Sequence, residues 1–198
     1  PDVNRASPKF IVDKEGIIFS LAAIKNVGEG VSGKILEECN ENGKYKNFED
    51  FVVRTRKHGL NKKALESLIL AGALDGLPGN RRQKFESVDK ILDYATRKIK
   101  EDEIQQMNLF GEAKSSLGVF TLPQIPEYSL EELLAREKEY LGFYFSAHPL
   151  DNYRRLIEVY RLSRIAELKE EKNVQIFRTC GILREIKKIV TKKTGQIM

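Results

Sequence analysis

Apolar residues near the start of the chain repeat at helical spacing on both sides of a short break. Leu21 lies before the break and Ile35 lies after it, each within a run of residues with period 3.6. The break is Asn26-Val27-Gly28 with Gly30. Glycine adopts backbone angles that other residues resist, and asparagine tolerates the left-handed region better than most. The pattern therefore predicts a helix, a tight turn and a second helix.

A weaker version of this pattern follows further along the chain. Residues 62–77 predict a helix with a turn at Ala71-Gly72-Ala73, and Asn80 is placed to cap a long helix that runs to about residue 100. Basic residues gather where that helix begins: Arg81, Arg82 and Lys84. The sequence predicts a second, degenerate helical hairpin. The plainer alternative is a solvated helix face, which is what most charge runs are.

The remaining segments differ in pattern from the two hairpins. Residues 1–20 predict a short extended hairpin, and Gly and Pro make 111–128 a linker loop. Ser129 and Glu132 form a capping box that opens a helical connector over 129–172. Residues 173–198 alternate in a strand-like way and break off in a predicted turn. We expect a mainly α fold with a short N-terminal hairpin and a truncated C-terminal β segment.

Composition narrows the function classes only slightly. The net charge of +5 and the pI near 9.1 fit a polyanionic partner, and the hydrophobic content of 41% is typical of a soluble, folded protein. No apolar run approaches the roughly 20 residues that a membrane helix needs. The chain begins at Pro1 without a Met, which predicts a piece of a longer protein.

The residues that most often carry catalysis or bind metals are sparse. Cys39 and Cys180 are far apart and form no CxxC, so neither a disulfide framework nor a zinc cluster is predicted. Free thiols fit a reducing, cytoplasmic location. His58 and His148 lack partners at ligand spacing. These cysteines and histidines therefore predict no metal site.

A tight turn that opens a helix has a definite chemical use. It points free backbone N–H groups outward at the positive end of the helix dipole, a place suited to a phosphate. Such a helix-hairpin-helix holds nucleic-acid backbones without reading bases. The predicted contacts to double-stranded DNA are Lys25, Asn26, Val27, Gly28, Gly30 and Lys34 in the first hairpin and Gly72, Arg81, Arg82 and Lys84 in the second. The alternative is a hairpin whose glycines serve packing alone.

A compact peptide follows the second hairpin. Gln106-Met107-Asn108-Leu109-Phe110 places two large apolar residues beside an amide that can make two hydrogen bonds. Exposed apolar residues are costly unless a pocket of a partner receives them. The peptide is predicted to dock in a groove of another protein. The alternative is that Leu109 and Phe110 pack back on the domain.

These residues together resemble the alpha subunit of bacterial DNA polymerase III. The clearest string is Leu141-Gly142-Phe143-Tyr144-Phe145-Ser146-Ala147-His148-Pro149-Leu150-Asp151, in which family members commonly have Gly at Ala147. The first hairpin matches the helix-hairpin-helix pattern, a Gly–apolar–Gly turn followed by a small residue. Ser32 fills the small position, and Asn26 departs from the usual first Gly. The resemblance covers nearly the whole chain.

The resemblance implies both a domain order and partners. Residues 1–20 would end the fingers region, 21–110 would be a tandem helix-hairpin-helix domain, and 173–198 would begin an OB-fold. Gln106, Met107, Asn108, Leu109 and Phe110 match the peptide that docks on the sliding clamp, with Met for Leu and Asn for Ser or Asp. Other replicase subunits are further implied partners. The parent would be a DNA-directed DNA polymerase whose palm, outside this chain, holds divalent metal as Mg²⁺. The resemblance therefore implies no catalytic residue, no metal site and no cofactor in this chain.

Two other functions stay open at this stage. One is a helix-hairpin-helix DNA repair enzyme, which would need a catalytic Lys or Asp in a pocket. The other is a purely structural connector between the fingers and the OB domain. Glu29 and the acidic pair Glu37-Glu38 favour the connector for the first hairpin, because they would repel a phosphate.

Overall fold

The computed structural model describes residues 1–5, 9–14, 16–107, 118–163, 165–168, 177–183 and 185–188. The chain divides into two compact units, residues 1–146 and 147–198. In the first unit, strands β1 and β2 precede six α-helices. They are β1 (Ile11–Asp13), β2 (Gly16–Ile18), α1 (Gly28–Asn42), α2 (Phe48–Arg56), α3 (Lys62–Leu70), α4 (Arg81–Glu86), α5 (Val88–Met107) and α6 (Leu130–Leu141).

The two strands form the predicted N-terminal hairpin. They pair antiparallel, with Ile11 opposite Ile18 and Val12 opposite Ile17. Together with the six helices, the hairpin confirms the predicted mainly α fold class. Because its strands are only three residues long, this hairpin depends on the helical body for stability.

The core of the first unit lies between α2, α3 and α5. Phe51, Leu65, Leu68 and Ile91 are fully buried there, and α2 packs along α5. Burying each such side chain stabilises the fold by roughly 1.5–3 kcal/mol. The predicted periodicity of residues 62–77 and of the helix after Asn80 therefore corresponds to one core, which α2 shares.

Side-chain caps fix where several helices begin. The carboxamide oxygen of Asn61 accepts from Ala64 N at 2.9 Å, and Ser129 Oγ accepts from Glu132 N at 3.3 Å. Asn80 caps α4 as predicted, through Gln83 N at 2.7 Å. Such caps are worth about 1 kcal/mol each.

The prediction of a single long helix after Asn80 is wrong in one respect. It is broken at Ser87, which separates α4 from α5. The Ser87 hydroxyl donates to the Gln83 carbonyl at 2.8 Å, and the residue has φ −97° and ψ 0°. A serine side chain that bonds back to the preceding turn competes with the regular helical ladder.

The predicted helix before the first turn is also shorter than expected. Leu21–Ala23 form one 3₁₀ turn, whose Ala22 N–H donates to Ser20 Oγ at 3.2 Å. Ile24 is already extended, with ψ 132°. Only two residues, Phe19 and Ser20, separate β2 from this turn, so the chain has little room for further helical residues.

The second unit contains a 3₁₀ turn (Pro149–Tyr153), α7 (Arg154–Val159) and α8 (Ile165–Leu168). His148 caps the 3₁₀ turn: its Nδ1 accepts from Leu150 N at 3.2 Å. Residues 177–183 and 185–188 have no regular secondary structure. The predicted turn Thr191–Gly195 lies outside the described residues.

Neither a membrane span nor a metal cluster is found in the described part of the chain. No helix there is long and apolar enough to cross a bilayer. No group of three His, Cys, Asp or Glu residues there is placed to hold a metal ion. His58 instead lies 2.8 Å from Glu38, which also pairs with Arg54, so these side chains tie α1 to α2.

Candidate nucleic-acid interface

The first hairpin turn is held in place by two other helices. Asn26 has φ 67°, and its side-chain amide donates to Ser67 Oγ of α3 at 3.0 Å. The backbone N–H of Lys25 donates to the carbonyl of Tyr140 in α6 at 3.0 Å. The turn is therefore positioned by tertiary contacts as well as by its glycine.

The N-terminus of α1 opens onto the surface. Its N-cap residue, Val27, makes no side-chain cap, while Gly28, Glu29 and Gly30 are all exposed. A Cβ added at Gly30 would meet nothing within 4 Å. The first N–H groups of a helix have no intrahelical partner, so this end can receive an anion.

Besides Gly30, the first hairpin has five predicted contacts. All of them except Val27 lie at the surface beside this helix end. Lys25, Asn26 and Gly28 surround the turn, and Lys34 lies one helical turn after Gly30. The lysines are lightly paired, Lys25 with Glu139 at 3.1 Å and Lys34 with Glu37 at 3.3 Å. Exposed ion pairs are worth about 0–1 kcal/mol, so both lysines can exchange partners.

The predicted DNA contact at Val27 is wrong for its side chain. Its side chain is only 3% exposed and belongs to the hydrophobic core. Its backbone N–H donates to Ile24 O at 3.1 Å, which closes the turn. Val27 therefore shapes the turn from beneath and does not offer its side chain to a ligand.

The second hairpin turns its cations inward. Lys84 is completely buried, and its Nζ donates to the carbonyls of Leu74, Leu77 and Gly79 at 2.9, 2.8 and 2.6 Å. Burial lowers the pKa of this amine from its ordinary value. Lys84 holds the turn together from the inside, which corrects the expectation that it meets a phosphate.

Arg81 is also internal. It is 7% exposed, its Nη2 lies 2.6 Å from Asp75 Oδ2, and its Nη1 lies 3.0 Å from Glu137 Oε1. Burial alone would lower the pKa of Arg81, but its bonds to the two carboxylates outweigh that and raise it. The predicted DNA contact at Arg81 is thus replaced by a buried charge network.

Gly72 has a packing role beneath this network. It has φ 79°, and a Cβ at this position would collide with the guanidinium of Arg81 and the carboxylate of Asp75. The alternative that the glycines serve packing therefore describes Gly72, whereas Gly30 faces open space.

A carboxylate of the same chain occupies the start of α4. Glu127 Oε2 accepts from Arg81 N at 2.8 Å, and Glu127 Oε1 accepts from Arg82 N at 3.0 Å. Negative groups are stabilised at this end of a helix by the same N–H groups that would bind a phosphate. The anion position of the second hairpin is therefore filled.

Arg82 is the predicted cation of the second hairpin that has no ion pair in the described residues. Its guanidinium carbon lies 5.7 Å from the centroid of the Tyr128 ring. Its buried Nε has no hydrogen-bond partner there. The guanidinium carbon of Arg136 lies 4.3 Å from the centroid of the same ring, so two guanidinium groups contact Tyr128.

Sequence reasoning missed three acidic residues that decide this arrangement: Asp75, Glu127 and Glu137. One of them carried a signal. Leu134, Glu137 and Leu141 follow helical spacing, which places the carboxylate on the buried face of α6. A charge on an apolar face indicates a buried partner, here Arg81.

The predicted clamp peptide lies only in part within the described backbone. Gln106 and Met107 are the last residues of α5, and Asn108, Leu109 and Phe110 lie outside the described residues. Among the side chains that the structure describes, the last core residue of α5 is Ile99, and Ile104 is 56% exposed. The helix therefore stands clear of the core at Ile104.

Residues 118–128, which we call the strap, are packed on the first unit. The Phe120 ring lies 5.7 Å from the Tyr94 ring, and Leu122 is partly buried against the core. Asn80 Nδ2 donates to the Ile125 carbonyl at 3.0 Å. The predicted linker over 111–128 is thus a docked segment in its described part.

Comparison with known proteins relates the chain to one protein group. Residues 1–84 match a family described as a helix-hairpin-helix motif. The chain is 39% identical over its full length to the DNA polymerase III subunit alpha of Borreliella burgdorferi, and covers 18% of that protein. The subunit of Thermus aquaticus is 39% identical over 86% of the chain, which covers 13% of it.

A third relative has a lower sequence identity. The DNA polymerase III subunit alpha of Vibrio cholerae is 32% identical over the full chain, which covers 17% of that protein. The chain thus spans less than a fifth of the length of these curated relatives. The sequence is accordingly identified as a segment of a DNA polymerase III alpha subunit, with a helix-hairpin-helix motif within its first 84 residues.

Proposed function

We propose that this chain holds duplex DNA and the sliding clamp for the replicative polymerase. The observation that carries the DNA contact is the open N-terminus of α1, beside Lys25 and Lys34, set against the filled N-terminus of α4. The first hairpin is therefore the DNA contact, and the second is internal. The named relatives and the helix-hairpin-helix motif support DNA as the ligand.

The proposed contact is made to the phosphate backbone. Backbone N–H groups of Gly28, Glu29 and Gly30 would receive a phosphate, and Lys34 would add charge from the next turn. Such contacts carry no base information, so binding is insensitive to sequence and falls steeply with salt. The carboxylate of Glu29 repels the phosphate and so limits the affinity for DNA. A modest affinity is sufficient for a segment that is also tethered through the sliding clamp.

The proposed clamp contact is the peptide Gln106–Phe110. It begins in the last residues of α5, after Ile104, whose side chain is 56% exposed. Tethering to a clamp raises the effective concentration of the polymerase at the primer end, and weak DNA contacts then suffice. Nucleotidyl transfer itself we assign to the palm of the whole subunit, with its divalent metal.

Two exposed lysines near opposite ends of α1 give a matched test of the DNA contact. Lys34 lies near the open end, and exposed Lys44 lies just after the other end, about 20 Å from Gly28 at 1.5 Å per residue. We expect Lys34→Ala to lower the affinity for a random duplex severalfold and to reduce the slope of log K against log salt by about 0.9. Lys44→Ala should leave the slope unchanged.

The contrary result would be equal slopes for Lys34→Ala and Lys44→Ala. The DNA contact would then lie away from the first hairpin, and the connector interpretation would apply to both hairpins.

The clamp contact is tested by titration against a bacterial sliding clamp. The chain should bind, and Leu109→Ala/Phe110→Ala should abolish binding because both apolar anchors are lost. Val119→Ala is the control, since that side chain is 85% exposed and lies outside the peptide. Binding that survives the double substitution would place the contact elsewhere.

A further inference from the structure

An apolar surface lies on the N-terminal hairpin and beside the end of α6. It is formed by six side chains, which we call the apolar face: Phe10, Val12, Ile17, Phe19, Phe143 and Phe145. We infer that the apolar face packs against an apolar surface from the part of the DNA polymerase III alpha subunit that lies outside this chain.

The register of the two strands places four of these side chains on one side of the hairpin. Val12 lies directly opposite Ile17, and residues directly opposite each other point to the same side of a sheet. The next pair on that side is Phe10 and Phe19, whose ring centroids lie 5.0 Å apart. Val12 is 82% exposed and Ile17 is 69% exposed, so this side of the hairpin faces solvent in the isolated chain.

Aromatic rings continue the surface from the hairpin to the end of α6. The centroid of the Phe19 ring lies 5.4 Å from that of Phe143, which in turn lies 6.4 Å from that of Phe145. Phe19 is half-buried against the core, whereas Phe10 and Phe145 are exposed. The six side chains therefore form one connected patch, and exposed patches of this kind mark interaction surfaces.

The backbone beneath the apolar face is already held in place. The Phe145 N–H donates to the buried carboxylate of Glu137 at 2.9 Å. Phe19 directly precedes Ser20, whose side chain caps the following 3₁₀ turn through Ala22 N at 3.2 Å. A surface that is ordered before it binds loses less conformational entropy on binding.

The chemistry of the apolar face selects the kind of partner. None of its six side chains carries a charge or a hydrogen-bonding group. Affinity for DNA comes mainly from cations that neutralise phosphates, so this face is poorly suited to DNA. It fits an apolar protein surface instead.

The rest of the subunit supplies such a surface in the same polypeptide. The chain covers 18% or less of each of the three relatives, so more than four-fifths of such a subunit lies outside it. Interfaces between domains of one chain commonly bury about 600–1,500 Å². Because the two surfaces are covalently linked, their effective concentration is high, and a contact of this modest size is sufficient.

Docking of the apolar face would also position the first hairpin turn. Phe143 follows Tyr140 closely in the chain, and the Tyr140 carbonyl accepts from the Lys25 N–H at 3.0 Å beside that turn. The proposed DNA contact at the N-terminus of α1 would then be held at a fixed place relative to the rest of the subunit.

Thiol labelling tests the docking. Val12→Cys is prepared in the 198-residue chain and in the whole subunit, and peptide mass spectrometry follows alkylation at this position separately from the native cysteines. We expect alkylation at least about tenfold slower in the whole subunit, because a covered thiol reacts only when the interface opens. Val119→Cys is the matched control: this exposed valine lies outside the apolar face, so its rate should be equal in the two proteins.

A substitution that preserves the shape of the strands gives an independent readout. Val12→Thr/Ile17→Thr keeps both side chains β-branched but places hydroxyl groups on the apolar face. In the whole subunit, amide hydrogen exchange of β1 and β2 should rise towards that of the 198-residue chain. The same substitutions in the 198-residue chain should leave exchange unchanged, and Val119→Thr should change neither protein.

Slower alkylation of Val12→Cys alone, in a monomeric subunit without DNA, supports the docking. Equal rates in the chain and in the whole subunit overturn it. Equal slowing of Val12→Cys and Val119→Cys also overturns it, because the apolar face would then not be singled out. Slowing that requires added DNA, or that is lost when the subunit is diluted to a monomer, assigns the face to DNA or to a second copy and overturns the docking as well.

Discussion

Arg81 Nη1 and Glu137 Oε1 lie 3.0 Å apart in the interior of the first unit, although 56 positions separate them in the chain. The same carboxylate accepts from the backbone N–H groups of Phe145 and Ser146, each at 2.9 Å, and from Ser146 Oγ at 2.5 Å. One buried glutamate therefore joins the second hairpin, α6 and the segment that ends the first unit. An ion pair so placed is stabilising only while both partners remain.

Glu137→Gln should destabilise the chain by about 3 kcal/mol, because Arg81 loses one carboxylate in a buried site. Urea denaturation followed by circular dichroism measures the loss. Glu139→Gln on the same helix is the control: that side chain is 55% exposed, and its pair with Lys25 should contribute under about 1 kcal/mol. Equal effects of the two substitutions would contradict the buried network.

The contribution of Glu137 should depend on pH. Burial alone would raise the pKa of Glu137, but hydrogen bonds from Ser146, Phe145 and Arg81 outweigh burial and place its pKa below the ordinary value of 4.5. A depressed folded-state pKa stabilises the fold above the unfolded pKa, and that stability is lost as the pH falls.

The stability gap between wild type and Glu137→Gln should therefore be full at pH 6 and shrink as the pH falls from about 5 towards 3. Denaturation at a series of pH values measures the gap, and the other carboxylates cancel because both proteins contain them. A gap that widens on acidification would show that Glu137 is protonated in the folded state.

Lys84→Met should destabilise the fold by about 2–4 kcal/mol, because three carbonyls lose their donor, two of them in buried hydrogen bonds. At a temperature where the variant is folded, its affinity for DNA and the salt slope should equal those of the wild type. Lys90→Met, at an exposed position of α5, controls for the lost charge. A reduced salt slope for Lys84→Met alone would show that this amine reaches DNA.

Two glycines should respond oppositely to alanine. Gly72→Ala should destabilise the chain by about 2 kcal/mol or more, because φ is positive and the new Cβ meets Arg81. Gly30→Ala should stabilise it by about 0.5–1 kcal/mol, because Gly30 is helical and faces open space. Thermal denaturation of both variants measures the contrast, and the loss of stability in both would mean that Gly30 also packs against a neighbour.

Local patterns in the sequence predicted a large part of the fold. The N-terminal hairpin, the caps at Asn80 and Ser129, and the apolar faces of α3 and α5 all depend on residues close together in the chain. The break at Ser87 was missed because a serine back-bond resembles an ordinary helical serine in sequence. Residues 118–128 resembled a linker for a different reason, because the residues that they contact are distant in the chain.

The candidate site likewise has some features that local sequence determines and others that depend on tertiary contacts. The sequence by itself determined two glycine turns with nearby cations, a pattern that favours anion binding, because turn geometry and helix dipoles are properties of a few consecutive residues. Only the tertiary structure decided that Lys84 and Arg81 point inward, that Glu127 fills one helix end, and that the end of α1 stays open. A charge is drawn inside when carbonyls or carboxylates from other turns and helices meet it there, and such meetings exist only in the folded chain.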